Sequence, residues 1–194
     1  MAILHKATLV PSKAEIVAAW LPQQPWYDGA DPAAPRPVAS YRFDDPAGEV
    51  GIETMLLATG DDGVAWQVPL TYRAEALDGG GAHLIGTLEH SVLGTRYVYD
   101  ALGDPVYLAV LRSVIEQQGS EADLERSLDD GTTEQVAKTL LVRGTGGAGV
   151  DVILDRQPQA AVEADLAEGS GTLIGWRASA AHGSAPDLVL ARLQ

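Results

Sequence analysis

Four histidines, three pairs of adjacent aspartates and one glycine-spaced segment are the places where this 194-residue chain could hold chemistry. The histidines are His5, His83, His90 and His182. None is spaced as a ligand pair of the His-Glu-x-x-His kind, so none predicts a metal centre. Glu89 and His90 are neighbours, and neighbours on a strand point to opposite faces, which denies them a shared ion or a proton-transfer dyad. Ser91 follows without the Gly-x-Ser-x-Gly elbow that presents a nucleophilic serine. The pairs Asp44–Asp45, Asp61–Asp62 and Asp129–Asp130 sit among turn formers, where aspartate bonds the local backbone. Acid–base catalysis needs carboxylates facing each other across a cleft, which adjacency does not supply. Gly144, Gly146 and Gly149 satisfy Gly-x-Gly-x-x-Gly, but a strand-like segment follows where a dinucleotide site requires a helix. The spacing predicts a β-hairpin turn in which glycine supplies positive φ. No catalytic residue, cofactor-binding residue or metal ligand is assigned, and no cofactor is expected.

Aromatic residues cluster in the first part: Trp20, Trp26, Tyr27, Trp66, Tyr72, Tyr97, Tyr99 and Tyr107. Trp66 and Tyr72 alternate with polar neighbours and read as core. Trp26 and Tyr27 fall in a proline-rich loop, and loop aromatics are enriched at interfaces. With Tyr97 and Tyr99 they form the candidate binding set, suited to a protein partner or to stacking on a sugar ring.

Composition narrows the partners. The net charge of −14 excludes nucleic acid, which needs clustered Lys and Arg, and disfavours an anionic membrane surface. There is no cysteine, hence no disulfide, thiolate metal site or cysteine nucleophile. There is no asparagine either. Apolar runs are shorter than the ~20 residues of a membrane span. The opening residues lack the arrangement of a signal peptide, so a cytoplasmic location is expected.

The elements that must carry these residues follow from periodicity. A short strand is expected over 2–9. Ser12 and Glu15 predict a capping box, followed by a helix whose apolar face is Ile16, Val17, Trp20 and Leu21 and which Pro22 ends. Residues 22–37 hold five prolines and read as a loop. Strands are expected over 38–43, 50–58, 64–73, 83–90 and 94–99, with a hairpin at Asp61–Gly63. Pro69 inside the third of these predicts an edge position or a bulge. Asp104 and Pro105 then start a second helix, and Gly119 stands at its end. Helix, strand meander and helix make residues 1–118 an α+β unit. Residues 119–134 are polar and read as a linker with a helical turn. Residues 135–194 read as an antiparallel β-rich part, with strands over 136–143, 149–155, 160–167, 172–178 and 187–193 joined by hairpins.

Four segments of the first part, LPQQPWY (21–27), DDPAGEVGIETML (44–56), VPLTYR (68–73) and GTLEHSVLGTRYVYDALGDPVYLA (86–109), resemble one family in consistent order. It is the N-terminal cap domain of actinobacterial maltokinases and related sugar kinases. The resemblance implies a cystatin-like fold, a curved antiparallel sheet against a helix. It also implies a role in the metabolism of trehalose, maltose and α-glucan, the glycogen-type polymers. In those kinases the cap holds none of the catalytic residues. Phosphoryl transfer needs a phosphate-binding lysine, a catalytic aspartate and metal ligands that typically include asparagine. The lysines here are Lys6, Lys13 and Lys138, and asparagine is absent. His182-Gly183-Ser184 is similar to the start of the family's catalytic loop, with serine in place of aspartate. Kinase and branching-enzyme activity are therefore not expected. The chain reads as a stand-alone, non-catalytic cap-like module. It would bind a sugar kinase, another α-glucan enzyme or its own copies. The alternatives are a carbohydrate-binding module using Trp26, Tyr27, Tyr97 and Tyr99, and a small enzyme of unfamiliar type.

Overall fold

A computed structural model describes residues 2–4, 7–27, 35–58, 66–127, 132–178 and 187–194. His5, Lys6, His182 with the segment after it, the Asp61–Gly63 hairpin, Asp129–Asp130 and residues 28–34 of the proline-rich loop lie outside those residues.

The first part builds around strands β1 (Ala2–Leu4) and β2 (Leu9–Val10), helix α1 (Lys13–Trp20), and strands β3 (Arg36–Phe43), β4 (Gly51–Ala58), β5 (Trp66–Arg73), β6 (Leu84–His90) and β7 (Gly94–Asp100). Helix α2 (Pro105–Glu116) follows. Five of the strand ladders run antiparallel in the order β2-β6-β7-β5-β4-β3. The capping box forms as read: Ser12 N–H donates to Glu15 Oε2 at 2.8 Å, and Glu15 N–H donates to Ser12 Oγ at 3.3 Å. Asp104 caps α2 by accepting Val106 N–H at 3.0 Å, with Pro105 in the first turn.

Both faces of this sheet are covered, which makes β4 buried from Ile52 to Ala58. On one face Ile16, Val17 and Leu21 of the α1 region pack with Met55, Leu57, Trp66, Val68, Leu70, Leu88 and Val98. On the other, Tyr41, Phe43, Ile52 and Leu56 share a core with Tyr107, Leu111 and Ile115 of α2. The same core continues into Leu140, Val142, Leu173, Leu190 and Leu193.

Those last residues belong to a second sheet. Strands β8 (Leu124–Ser127), β9 (Thr133–Gln135), β10 (Leu140–Gly144) and β11 (Val152–Ala160) lead to helix α3 (Glu163–Leu166), then β12 (Thr172–Arg177) and β13 (Leu188–Leu193). Four of these strands lie in the antiparallel order β10-β12-β13-β11. The remaining two join β1 in a small sheet, β1-β8-β9, with β1 parallel to β8. The described residues of the 119–134 segment therefore hold strand, Leu124–Ser127 and the start of Thr133–Gln135. The α3 segment replaces an expected strand, since the Asp165 carboxylate accepts Val162 N–H at 2.9 Å and closes a helical turn.

Two further expectations change. Gly144, Gly146 and Gly149 do not make a hairpin, because β10 and β11 lie at opposite edges of their sheet. The glycine segment crosses the end of the sheet beneath the C-terminus of α2. A Cβ on Gly144 would stand 2.2 Å from Val114 O, and Gly146 N–H donates to Ile115 O at 2.9 Å. The helix itself ends with Gln118 at φ 55°, and Gly119 N–H returns to Val114 O at 2.8 Å. Pro69 sits in an interior strand without a bulge in the β4–β5 register. The β7 ladder stops at Leu70↔Asp100, so β5 is locally an edge at Pro69 on that side.

β11 packs along that free side of β5, and Gln67 makes the join. Its side chain is fully buried. Nε2 donates to Asp155 O at 2.5 Å and to Leu190 O at 2.6 Å, and Tyr41 OH donates to Oε1 at 3.5 Å. Gln67→Leu strands two carbonyls and is expected to cost about 2–4 kcal/mol in urea denaturation, since each buried orphan costs ~1–3 kcal/mol. Gly144→Ala forces α2 off the sheet, and a loss of about 2–3 kcal/mol by the same measurement is expected from over-packing of this kind.

Candidate functional site

A cavity of about 580 Å³ opens on the α1 face of the six-stranded sheet, between the start of α1 and the β3–β4 turn. Local geometry builds its rim first. Asp45 accepts Ala47 N–H at 3.0 Å on Oδ1, and Glu49 N–H at 3.0 Å and Val50 N–H at 2.9 Å on Oδ2. Gly48 completes the turn at φ 73°. The turn predicted for this aspartate pair is thus present, and Asp45 is what closes it.

Register then lines the wall. Arg42 of β3 stands opposite Glu53 of β4, and Gly51 opposite Tyr72 of β5. A Cβ at Gly51 would meet the Tyr72 ring at 3.4 Å, so glycine leaves the ring its place. The capping box puts Lys13 at the first position of α1, where Nζ pairs with Glu53 Oε2 and lies 5.3 Å from the Tyr72 ring centroid. Tyr72 OH donates to Glu53 Oε2 at 3.3 Å. Burial alone would push the Glu53 carboxyl up, but Lys13 and Arg42 outweigh it and hold it below the usual carboxylate range. Burial and the Glu53 charge push the Tyr72 hydroxyl well above its usual range.

His90 and Arg96 complete the wall with Leu9, Leu88 and Leu93. His90 Nδ1 accepts Val92 N–H at 3.2 Å and Leu93 N–H at 3.1 Å. Glu89 faces the other way and accepts Thr95 Oγ1–H at 2.7 Å. His83 lies against Gly103, where a Cβ would come within 2.1 Å of its ring. Among the described residues no group of three or more His, Asp and Glu side chains is placed to hold a metal ion.

The four aromatic candidates fall into two pairs. Trp26 and Tyr27 pack on the α1 face, with Trp26 5.7 Å from Trp20 and 5.8 Å from Trp66, and Tyr27 5.1 Å from Trp66. Arg156 of β11 places its guanidinium carbon 4.3 Å over the Trp26 ring while Nη2 donates to Asp100 Oδ2 at 2.5 Å. Tyr97 and Tyr99 alternate with Val98, whose side chain packs with Leu88 and Trp66, so they occupy the opposite face. Tyr99 is buried and its OH accepts Leu77 N–H at 2.8 Å, whereas Tyr97 is half-buried. The structure does not bring the pairs together. Arg42 and Arg96, the basic residues that sequence reading passed over, carried one sign: Arg96 shares its strand face with Val98, an arginine at an inward position.

A helix laid across a curled antiparallel sheet defines the cystatin-like α+β class. Residues 20–104 match the family model of the maltokinase N-terminal cap domain. No curated protein matches the chain. No helix among the described residues is long and apolar enough to cross a membrane.

The lowered Glu53 pKa gives the ion pair a pH signature. Its contribution is complete above the unfolded carboxylate pKa, near 4.3, and disappears as pH falls through the lower folded value. Lys13→Met removes the contact partner of the carboxylate and is expected to cost about 2–3 kcal/mol at pH 7, less than the ~3–5 kcal/mol of a fully buried pair because Arg42 and the Tyr72 hydroxyl remain. Urea titrations at pH 7 and pH 4 check this: the loss shrinks at pH 4, where the stranded Glu53 binds a proton.

Proposed function

We propose that this protein is a non-catalytic binding or regulatory module of trehalose, maltose and α-glucan metabolism. It acts through contact with a sugar kinase, another enzyme of that chemistry or a second copy of itself. The match of residues 20–104 to a maltokinase cap domain carries the reading. Packing supports it. The cap sheet meets its own second sheet through Gln67, so its α2 face is already covered and a partner is met elsewhere. Exposed Val10, Val92 and Leu93 lie at the β2–β6–β7 end of the sheet. Arg156 already covers the Trp26 ring, which favours a packing role for that aromatic over a sugar platform.

The test is affinity capture from a native lysate of the source organism, with mass spectrometry and light scattering. Recovery of a sugar kinase or α-glucan enzyme, or a stable dimer, is the expected result. A monomer recovered alone at every expression level sinks the reading. Titration with maltose, trehalose and maltodextrins, followed by tryptophan fluorescence, is expected to give no saturable change at millimolar sugar.

A further inference from the structure

Four buried side-chain atoms make no hydrogen bond among the described residues: Thr54 Oγ1, Thr71 Oγ1, Tyr107 OH and Arg156 Nη1. A polar atom shut away from solvent without a partner is costly, and folded proteins hold few of them. Thr71 has a carboxylate at hand, since its hydroxyl helps to hold the Asp104 pKa low. The other three belong to one interior region, on the α2 face of the six-stranded sheet.

Strand register explains the gathering. Thr54 of β4 stands opposite Tyr41 of β3, and it alternates with Ile52 and Leu56, which share a core with α2. Tyr107 of α2 is fully buried in that core. Burial pushes the Tyr41 and Tyr107 hydroxyls well above their usual range, and the Thr54 hydroxyl works against it at both. Thr54 therefore faces both phenols, yet it closes a hydrogen bond with neither. The Arg156 charge favours the Tyr107 phenolate and the Asp100 charge opposes it, so the ion pair joining β11 to β7 flanks the same phenol.

The neighbouring groups cannot complete these three. On its other side Thr54 is paired in register with Pro69, which has no N–H. Gln67 is engaged at both ends of its amide, by Asp155 O and Leu190 O and by Tyr41 OH. The three atoms themselves define what fits. A threonine or tyrosine hydroxyl can donate or accept, whereas Nη1 only donates. Arg156 is already neutralised, with Nη2 donating to Asp100 Oδ2 at 2.5 Å, so the site calls for no anion. A small neutral molecule that both donates and accepts meets these terms. Water does so, and a buried water typically makes about three hydrogen bonds to otherwise unsatisfied groups.

We propose that an ordered internal water is bound at the junction of β4, α2 and β11, held by Thr54 Oγ1, Tyr107 OH and Arg156 Nη1. It ties the six-stranded sheet to the helix and to the second sheet at a place where direct side-chain bonds fall short. The site needs no second protein and so stands apart from the partner reading above.

Crystallography, urea denaturation and water magnetic relaxation dispersion of the full chain test it. Electron density for a water bonded to at least two of the three atoms is expected. Thr54→Val and Tyr107→Phe keep the shape of the core, and each is expected to lower the folding equilibrium constant about three- to tenfold, the size of one lost hydrogen bond. The sign is decisive, because removing a hydroxyl that had no partner raises that constant. The dispersion amplitude of the wild-type chain is expected to include a long-lived water that is lost in Thr54→Val and kept in Thr54→Ser. A direct Thr54–Tyr107 hydrogen bond with no density beside it, a halide peak at the site after bromide exchange, a dispersion amplitude unchanged in Thr54→Val, or a higher folding constant in either hydroxyl-deleted variant overturns the proposal.

Discussion

A sheet buried on both faces has no bulk water to satisfy its polar side chains, and Gln67 is where that constraint is met most fully. Its amide is the donor for backbone carbonyls of β11 and β13 and the acceptor for Tyr41 of β3. An apolar residue there would fill the space yet leave Asp155 O and Leu190 O without donors. The second sheet can pack on β5 only because β7 stops short at Leu70, which in turn is what makes Pro69 tolerable in an interior strand. One shortened ladder thus sets the docking of the two sheets.

The buried charges obey the same rule. Asp104 is wholly buried, and burial alone would raise its pKa, but the Arg73 fork and Val106 N–H more than compensate and hold it low. One carboxylate thereby starts α2 and fastens it to β5. Asp100 does comparable work through Arg156, tying the end of β7 to β11 and bringing the cation onto Trp26. The chain is strongly acidic outside, and inside it spends its few cations at junctions between elements. Buried pairs of this type contribute little net stability against an apolar replacement, so their service here is to fix geometry.

Local signals in the sequence were accurate where the physics is local. Ser12–Glu15 and Asp104–Pro105 announced both helix starts, and period-two alternation located β3 to β7 within a residue or two. The order of the elements indicated the α+β class, and the cap resemblance implied the curved sheet. What stayed hidden depends on contacts between distant residues. Nothing in Gly144-x-Gly146 shows that a helix end will lie on it, and no alternation pattern distinguishes a hairpin from the order β10-β12-β13-β11. The sequence reading grouped Tyr97 and Tyr99 with Trp26 and Tyr27, and only the strand register shows that the two pairs lie on opposite faces. The cavity was missed for the same reason: Lys13, Arg42, Arg96 and His90 come from four elements, and only the registers bring them together.

The place of β13 has a consequence for how the molecule is made. It is synthesised after β10, β11 and β12, yet it lies inside the sheet they share, between β12 and β11. Val189, Leu190 and Ala191 are fully buried there. A ribosome releases the strands in order, so the six-stranded sheet has all its strands by residue 100, while the second sheet has a gap at its centre until residues 188–193 emerge. Through that interval Tyr41, Phe43, Ile52 and Leu56 lack part of their cover. The nascent chain therefore carries a finished sheet with an incompletely shielded apolar face, and its closure waits on the six residues of β13.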